Sequence, residues 1–231
     1  MRKILISICP PFLLHILRKL IGHYDLPFNI RLRKWGHRAY VGGSDSESWY
    51  SIGRLQYHFL VSRGLKSNHK FLDLGCGSLR LGQFLIPMLD KGNYFGLDVE
   101  YELIDEGIIN EMLFNVMETK KPTFIINDEF KLNPCDEYDF AIAQSLFTHM
   151  SINDIDKYFK ALSSISRPGG KFFFTFFEGD EISNEQHSHP HKNWKYQFET
   201  LENVAAKNGF KTEYIGDWGH PRNQKMALAI K

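Results

Sequence analysis

The segment Phe71–Gly82, with the sequence FLDLGCGSLRLG, constrains the fold of this chain more than any other. An apolar run reaches the acidic residue Asp73 and is followed by a glycine turn at Gly75 and Gly77, then by an amphipathic stretch. This order is typical of a buried strand, a tight turn and the start of a helix. Because glycine lacks a Cβ atom and tolerates positive φ, the backbone of such a turn can approach a ligand closely.

A second carboxylate closes the next apolar run. Asp98 ends the run Asn93–Asp98, at a spacing close to the ~20 residues that separate the glycines from the acid in nucleotide-binding units. An acid at the tip of the second strand of such a unit accepts hydrogen bonds from ribose hydroxyls. The two features together predict a nucleoside-containing small molecule bound at a strand–turn–helix corner.

The residues around the turn narrow the choice of nucleoside. A dinucleotide fingerprint, G-x-G-x-x-G, needs a glycine where Arg80 stands, and no phosphate-loop ending in Gly-Lys-Ser/Thr is present. Asp73 would add negative charge beside a pyrophosphate, but it suits a ligand with a cationic amino-acid end. S-adenosylmethionine (SAM) carries an ammonium, a sulfonium and a ribose. It therefore fits the pair Asp73 and Asp98 better than NAD does.

Here the chain resembles the class I SAM-dependent methyltransferases, in blocks that follow the family's order between Trp49 and Lys231. The blocks that carry the resemblance are Phe71–Gly77, Tyr94–Asp98, Asp136–Ser145 and Arg167–Phe174. Leu79 departs from the pattern, because the family has its third motif glycine there. The resemblance implies a Rossmann-like methyltransferase fold, an α/β fold whose seven-stranded sheet ends in an antiparallel strand. It also implies S-adenosylhomocysteine as the product of the cofactor.

Apolar periodicity supports this fold independently, because strand and helix patterns alternate along the chain. The predicted strands are 70–74, a strand ending at 98, 123–126, 138–144, 171–177, 211–215 and 226–230. The predicted helices are 48–65, one from about 79 that Pro87 kinks, 101–116, 152–165 and 197–208. Such alternation predicts one mostly parallel sheet with helices on both faces.

Ligands of open parallel sheets lie beyond the carboxyl ends of the strands, which selects the cofactor candidates. They are Asp73, Gly75, Gly77, Arg80, Asp98, Val99, Asp128, Gln144 and Arg54. By resemblance, Asp128 accepts from the adenine amino group and Gln144 lies near the methionine part; a turn or cap role for Asp128 remains open. Arg54 is a candidate for the methionine carboxylate, with a solvated helix face as the alternative.

Methyl transfer from a sulfonium is an in-line displacement that needs alignment and exclusion of water. A hydroxyl acceptor would also benefit from a general base, for which imidazole is suited. His220 ranks first, because its loop Gly216–Arg222 combines several polar and aromatic residues at the predicted active edge. His149 ranks second and Glu178 third. Turn chemistry and helix capping are the alternatives for these residues.

No metal site is predicted. The three cysteines, Cys9, Cys76 and Cys135, are scattered and form no Cys-x-x-Cys pair, which favours a reducing cytoplasm. The segment His187–His191 alternates histidines, but no cysteine or carboxylate stands at a convincing spacing to complete a zinc site.

The N-terminal residues differ in charge from the rest of the chain. Residues 1–38 hold eight of the 28 lysines and arginines and only one of the 27 acids. We therefore separate a basic arm, 1–38, from a methyltransferase domain, 39–231. The apolar run Ile4–Ile21 is interrupted by prolines and basic residues, so it predicts no membrane span. No small-residue cleavage site follows it, so it predicts no secretory signal. Residues 1–21 are candidates for peripheral contact with the inner membrane face, or for packing within the protein or a homodimer.

The sequence thus predicts a cytoplasmic enzyme that methylates a small molecule or a glycan, with a hydroxyl oxygen favoured and no nucleic-acid partner. The blocks Trp49–Arg54, Phe147–Met150 and Gly216–Arg222 resemble a bacterial subgroup associated with saccharide and capsule pathways, including polysaccharide biosynthesis. Two alternatives stay open: an NAD-dependent sugar oxidoreductase or epimerase, and a catalytically silent scaffold.

Overall fold

The computed structural model describes residues 28–43, 46–113, 115–180, 188 and 193–231. The candidate membrane segment 1–21 and the histidines at 187, 189 and 191 therefore lie outside the described residues. Contacts divide the chain into two units, Met1–Trp49 and Tyr50–Lys231. Within the described part, no helix has both the length and the apolar character that crossing a membrane requires.

Trp49 is the packing centre of the described part of the first unit. Helix α1, Phe28–Tyr40, is interrupted at Gly36, whose φ of 76° and ψ of 158° are not helical. Beyond this break, the His37 ring meets Trp49 edge-on at 5.8 Å between centroids. The Arg38 guanidinium lies 5.7 Å from the centroid of the same indole.

The remaining elements alternate as the sequence predicts. The strands are β1 (Phe71–Leu74), β2 (Tyr94–Asp98), β3 (Thr123–Ile126), β4 (Tyr138–Ala143), β5 (Ser166–Glu178), β6 (Lys195–Tyr196), β7 (Lys211–Asp217) and β8 (Lys225–Ile230). The helices are α2 (Ser46–Ser62), α3 (Gly82–Met88), α4 (Tyr101–Glu111), α5 (Val116–Lys120), α6 (Ile152–Ile165) and α7 (Phe198–Lys207), with a 3-10 turn at Phe147–His149.

The strands form a mixed sheet in the order β3-β2-β1-β4-β5-β8-β7. Strands β1 to β5 are parallel to their neighbours, whereas β8 runs antiparallel to both β5 and β7. The predicted α/β fold with an antiparallel last strand is confirmed. The strand order reverses between β1 and β4, and ligands of open α/β sheets bind at such a switch point.

Two hydrophobic layers cover the sheet, one on each face. Leu72 and Leu74 point to the face covered by α6 and α7, where Phe159 and Leu201 are fully buried. Phe71 points to the opposite face. That second layer contains Leu60 of α2, Leu85 and Ile86 of α3 and Ile104 of α4. The strands are thus covered on both faces by described residues, and a ligand is expected at the strand ends.

The predicted bounds differ from the structure at several elements, and the largest differences concern α4 and β5. The helix expected over 101–116 ends at Glu111, and α5 follows from Val116; Asn115 between them has a left-handed φ of 68°, which a continuous helix excludes. Strand β5 begins at Ser166 rather than at residue 171, because Ser166 already pairs with Tyr138 before a register shift. Strand β6 was not predicted, because two residues carry no periodicity.

Candidate functional site

The glycine turn after β1 is fixed against the end of β2. Gly75 and Gly77 have φ values of 70° and 51°, in the left-handed region that the sequence led us to expect. The backbone N–H groups of Gly75 and Cys76 both donate to the Leu97 carbonyl oxygen, at 2.8 and 3.0 Å. The turn therefore presents its backbone at the switch point of the sheet.

Leu79 occupies the family's third glycine position and keeps the conformation of a glycine. Its φ is 62°, and its side chain is fully buried. Two glycines leave room for it: a Cβ atom on Gly82 would lie 3.1 Å from the Leu79 Cβ, and one on Gly107 would lie 2.9 Å from its Cγ. The departure from the motif is thus accommodated by packing.

Asp98 is held at the tip of β2 by two backbone donors. Its Oδ2 accepts from the Gly77 N–H at 2.8 Å, and its Oδ1 accepts from the Glu100 N–H at 3.0 Å. Burial raises the pKa of Asp98, while these backbone donors act in the opposite direction. Each carboxylate oxygen can accept a second hydrogen bond, so Asp98 can still receive ribose hydroxyls.

Asp73 is a buried carboxyl group with a raised pKa. It lies in β1, and the Tyr94 hydroxyl donates to its Oδ2 at 2.7 Å. Burial raises the pKa of Asp73 to about 7, against the lowering effects of the Tyr94 hydrogen bond and the Arg80 charge. Its charge near pH 7 is therefore sensitive to a cation bound beside it.

An apolar surface lies at the carboxyl ends of β2 and β3. Asp98 and Ile126 are partners in the parallel register. Val99 is 53% exposed and Ile126 is 45% exposed, although both are large hydrophobic residues. A flat apolar ring next to a ribose would cover this surface, and the sequence analysis named Val99 but missed Ile126.

The loop after β3 bears on the two roles considered for Asp128, an adenine contact and a turn. The Asn127 side chain makes the Asx turn, because its Oδ1 accepts from the N–H groups of Glu129 at 3.1 Å and Lys131 at 3.2 Å. Asp128 is exposed beside this turn. Its adenine role remains a prediction, and the turn role considered for it belongs to Asn127.

A row of polar side chains crosses the carboxyl edge from β4 to β8. The Ser145 N–H donates to Thr175 Oγ1 at 2.7 Å, and Thr175 Oγ1 donates to Gln224 Oε1 at 2.8 Å. The Ser145 hydroxyl also donates to Gln224 Oε1, at 2.9 Å. The Trp218 indole N–H donates to the Gln224 carbonyl oxygen at 3.0 Å. These bonds fix the loop between β7 and β8 against the ends of β4 and β5.

Gln144 joins this polar row to the glycine turn. Its Oε1 accepts from Arg80 Nη2 at 2.6 Å and from Gln56 Nε2, on α2, at 2.7 Å. Its Nε2 lies 3.2 Å from His220 Nε2. Burial, and then the charge of Arg222, lower the pKa of Arg80 to about 10. Arg80 therefore remains a cation, held at the corner where Asp73 lies.

His220 is a buried, neutral imidazole. Its ring stacks on Trp218 with centroids 5.3 Å apart, and its Nδ1 accepts from the Arg222 backbone N–H at 3.3 Å. Burial, followed by the charges of Arg80 and Arg222, lowers the pKa of His220 to about 4. The Arg222 backbone N–H opposite Nδ1 disfavours a proton on that nitrogen, and therefore the doubly protonated ring.

The other predicted site residues lie in the 3-10 turn after β4, on β5 and on α2. His149 is half-buried in the 3-10 turn after β4. Glu178 is exposed at the end of β5, where its Oε2 accepts from the Tyr214 hydroxyl at 2.9 Å. Arg54 is exposed on α2. Within the part of the chain that the structure describes, no three His, Cys, Asp or Glu residues lie close enough to hold a metal ion.

With this geometry established, comparison with known proteins gives a specific result. Residues 72–172 match the family described as a methyltransferase domain. The match begins in β1 and ends in β5, so it contains the glycine turn, Asp73, Asp98 and Gln144. It bears out the prediction of SAM as the cofactor.

Solved structures agree with the methyltransferase domain in fold. A Nostoc punctiforme protein described as a candidate O-methyltransferase has a TM-score of 0.62 at 14% identity, over 85% of this chain and 61% of its own. Magnesium protoporphyrin IX methyltransferase of Synechocystis, solved with S-adenosylhomocysteine, has a TM-score of 0.61 at 15% identity, over 94% and 99%. Human N-acetylserotonin methyltransferase, solved with SAM, has a TM-score of 0.61 at 16% identity, over 90% and 61%. The chain thus spans about 61% of the length of two of these proteins.

The sequence analysis missed the residues that connect distant strands. Thr175 is the one polar residue within the run Phe172–Phe177, and that interruption was the available signal. Gln56, Tyr94 and Gln224 reach the site from elements far apart in the chain. Their roles follow from which strands are neighbours, and residue type alone carries no such information.

Proposed function

We propose that this chain transfers a methyl group from SAM to a small-molecule or glycan acceptor, at a hydroxyl oxygen. The observation that carries the proposal is the corner between β1 and β2. Three features meet there within the matched methyltransferase domain: the glycine turn, the carboxylate of Asp98, and the exposed apolar surface of Val99 and Ile126. Asp98 can accept further hydrogen bonds. These groups fit a ribose, an apolar base and a nearby amino-acid cation.

Each end of the cofactor has candidate partners among the described residues. Asp98 would accept the ribose hydroxyls, and Val99 with Ile126 would pack against the adenine. Asp73 would stabilise the ammonium group of the methionine part, and Arg80 would stabilise its carboxylate. The bound cofactor supplies a methyl group already activated by the sulfonium. The protein's task is then to fix the direction of attack and to exclude water.

Proton removal from a hydroxyl acceptor is the least defined step. His220, His149 and Glu178 remain the candidates, in positions that differ sharply. The buried His220, with its lowered pKa of about 4, is a weak base and is better suited to orient Gln144. The half-buried His149 and the exposed Glu178 are the candidates that solvent or an acceptor can reach.

Isothermal titration with SAM, S-adenosylhomocysteine and NAD tests the proposal. We expect binding of the first two and none of NAD. Binding should be about tenfold weaker when Asp98→Asn replaces one accepting carboxylate oxygen by an amide donor. Glu178→Gln, at an acid outside the cofactor corner, is the matched control and should bind SAM normally. Absence of SAM binding at millimolar ligand would refute the proposal and leave the silent scaffold. Binding of NAD instead would favour the oxidoreductase or epimerase.

The acceptor class is tested separately. We propose a saccharide-type acceptor on the resemblance of Trp49–Arg54, Phe147–Met150 and Gly216–Arg222 to a subgroup with saccharide pathways, and a cytoplasmic location on the cysteine usage. Transfer of a labelled methyl group to a panel of sugar nucleotides, with mass detection of the product, checks the acceptor. Labelling of amines but of no hydroxyl would contradict the oxygen preference.

A further inference from the structure

The loop between β7 and β8 carries a cation to the carboxyl edge of the sheet. Arg222 is exposed, and its backbone N–H donates to His220 Nδ1 at 3.3 Å. Two residues further on, Gln224 is buried and hydrogen-bonded to Ser145 and Thr175. The backbone that carries Arg222 is therefore anchored on both sides by groups of the site.

A second cation lies at the other end of the same contact chain. Arg80 donates to Gln144 at 2.6 Å, and Gln144 contacts His220 at 3.2 Å. The charge of Arg222 reaches both neighbours, since it lowers the pKa of Arg80 and of His220. Two arginines thus contribute positive potential to one edge of the sheet around a neutral ring, and such a potential stabilises a bound anion.

We propose that Arg222, assisted by the positive potential of Arg80, binds a phosphate or carboxylate group of the methyl acceptor. This inference rests on the proposed function, and it narrows the acceptor to an anionic molecule. Arginine presents several N–H donors in a fixed fork that matches the oxygens of both groups. The anchored loop would hold the anion, and the acceptor oxygen with it, at the edge where the cofactor corner lies.

A carboxylate at this edge has two sources: the acceptor, and the methionine part of the cofactor. Two nucleosides separate them. S-adenosylhomocysteine keeps the amino-acid carboxylate, whereas 5′-methylthioadenosine lacks it. If Arg222 serves the acceptor, an added anion should bind in the presence of either nucleoside.

The experiment is calorimetric titration of inorganic phosphate into the full chain at fixed ionic strength. The chain is tested free, saturated with S-adenosylhomocysteine and saturated with 5′-methylthioadenosine. We expect phosphate binding in all three states, with Arg222→Gln weakening it about fivefold or more and Arg222→Lys weakening it less. Lys225→Gln is the matched control, because Lys225 lies on the same hairpin but donates to Asn223 at 2.9 Å. It should change the affinity less than about twofold.

Three results would overturn the proposal. Phosphate excluded by S-adenosylhomocysteine but not by 5′-methylthioadenosine would assign Arg222 to the cofactor carboxylate. Equal phosphate affinities of the wild type and Arg222→Gln would show that Arg222 does not bind the anion. Equal losses of phosphate affinity in Arg222→Gln and Lys225→Gln would show that only a diffuse positive potential acts. A failed methyltransferase proposal looks different: neither nucleoside binds, and phosphate binding to the free chain still depends on Arg222.

Discussion

At the scale of single residues, Asp73 makes cofactor affinity dependent on pH. With a pKa of about 7, Asp73 is largely ionised at pH 8 and largely protonated at pH 6, and a bound ammonium favours the ionised form. We therefore expect SAM affinity to fall about tenfold from pH 8 to pH 6, measured by titration calorimetry. 5′-Methylthioadenosine, which lacks the ammonium, should show a flat profile.

Two variants check that this dependence belongs to Asp73. Asp73→Asn should remove it together with most of the affinity for SAM. Tyr94→Phe removes the hydroxyl that donates to Asp73 and that lowers its pKa, so the midpoint should move to higher pH. A midpoint unchanged in Tyr94→Phe would show that another group titrates.

Leu79 gives a prediction about stability. Replacing it by glycine relieves a left-handed leucine, worth about 1–2 kcal/mol, but removes a fully buried side chain, worth about 2–5 kcal/mol. Leu79→Gly should therefore lower the free energy of unfolding by about 1–3 kcal/mol, measured by urea denaturation. Leu113→Gly, at an exposed position, is the control for simple truncation. A stabilised Leu79→Gly would mean that backbone strain outweighs packing.

Residue identity predicted only those parts of the site that lie in one segment. Asp73, Gly75 and Gly77 follow from local order, and Asp98 follows from a fixed spacing. Tyr94 could not be foreseen as the partner of Asp73, because the contact requires β1 and β2 to be neighbours. The pKa values of Asp73 and His220 depend on burial, which a sequence motif does not report.

At the scale of elements, long periodic segments were predictable and short ones were not. The bounds of β3 and α6 agree with the apolar pattern, because both are sustained runs that face one layer. The break between α4 and α5 could not be foreseen, since Asn115 takes a left-handed φ of 68° that no nearby glycine or proline signals. The two-residue β6 exists only through its pairing with β5.

The hairpin β7–β8 depends on one buried glutamine. Gln224→Leu would leave the buried Thr175 hydroxyl and the half-buried Ser145 hydroxyl without their acceptor, at a cost of about 1–3 kcal/mol in the free energy of unfolding. We also expect weaker phosphate binding, because the loop that carries Arg222 loses its anchor. Urea denaturation and calorimetry measure the two effects. Gln197→Leu, at an exposed glutamine, should change neither.

At the scale of the whole molecule, charged residues at the opposite edge serve stability. Arg167 donates to Glu137 and to Asp139, and Lys70 pairs with Glu137 at 2.8 Å. These partners lower the pKa of Glu137 to about 2, below its usual 4.5. Their contribution is therefore complete above pH 4.5 and is lost as the pH falls toward 2.

Glu137→Gln tests this separation of roles. The variant should unfold more readily than the wild type at pH 7, and the difference should shrink as acid is added, followed by circular dichroism during urea titration. SAM affinity should be unchanged, since the ion pairs lie at the amino ends of the strands. A loss of SAM affinity in Glu137→Gln would show that the two edges are coupled.

The basic arm gives a prediction about surfaces. Residues 1–38 carry an excess of basic residues, so the full chain should bind anionic vesicles at low salt and release them at high salt. The double variant Arg18→Glu/Lys19→Glu should bind several-fold less in a sedimentation assay. Neutral vesicles are the control, and equal binding by both proteins would contradict membrane contact through the arm. Size-exclusion chromatography with light scattering tests the alternative that the arm packs in a homodimer.

The environments of Asp73 and His220 reverse the usual order of the two pKa values. Burial raises the pKa of the Asp73 carboxyl group to about 7 and lowers the pKa of the His220 imidazole to about 4. A limb near neutrality in a rate profile of this protein would conventionally be assigned to a histidine. We expect the Asp73 carboxyl group to give such a limb here, because burial raises its pKa to about 7. Carboxyl ionisation has little enthalpy and imidazole ionisation has a large one, so the midpoint of that limb should hardly move between cold and warm assays.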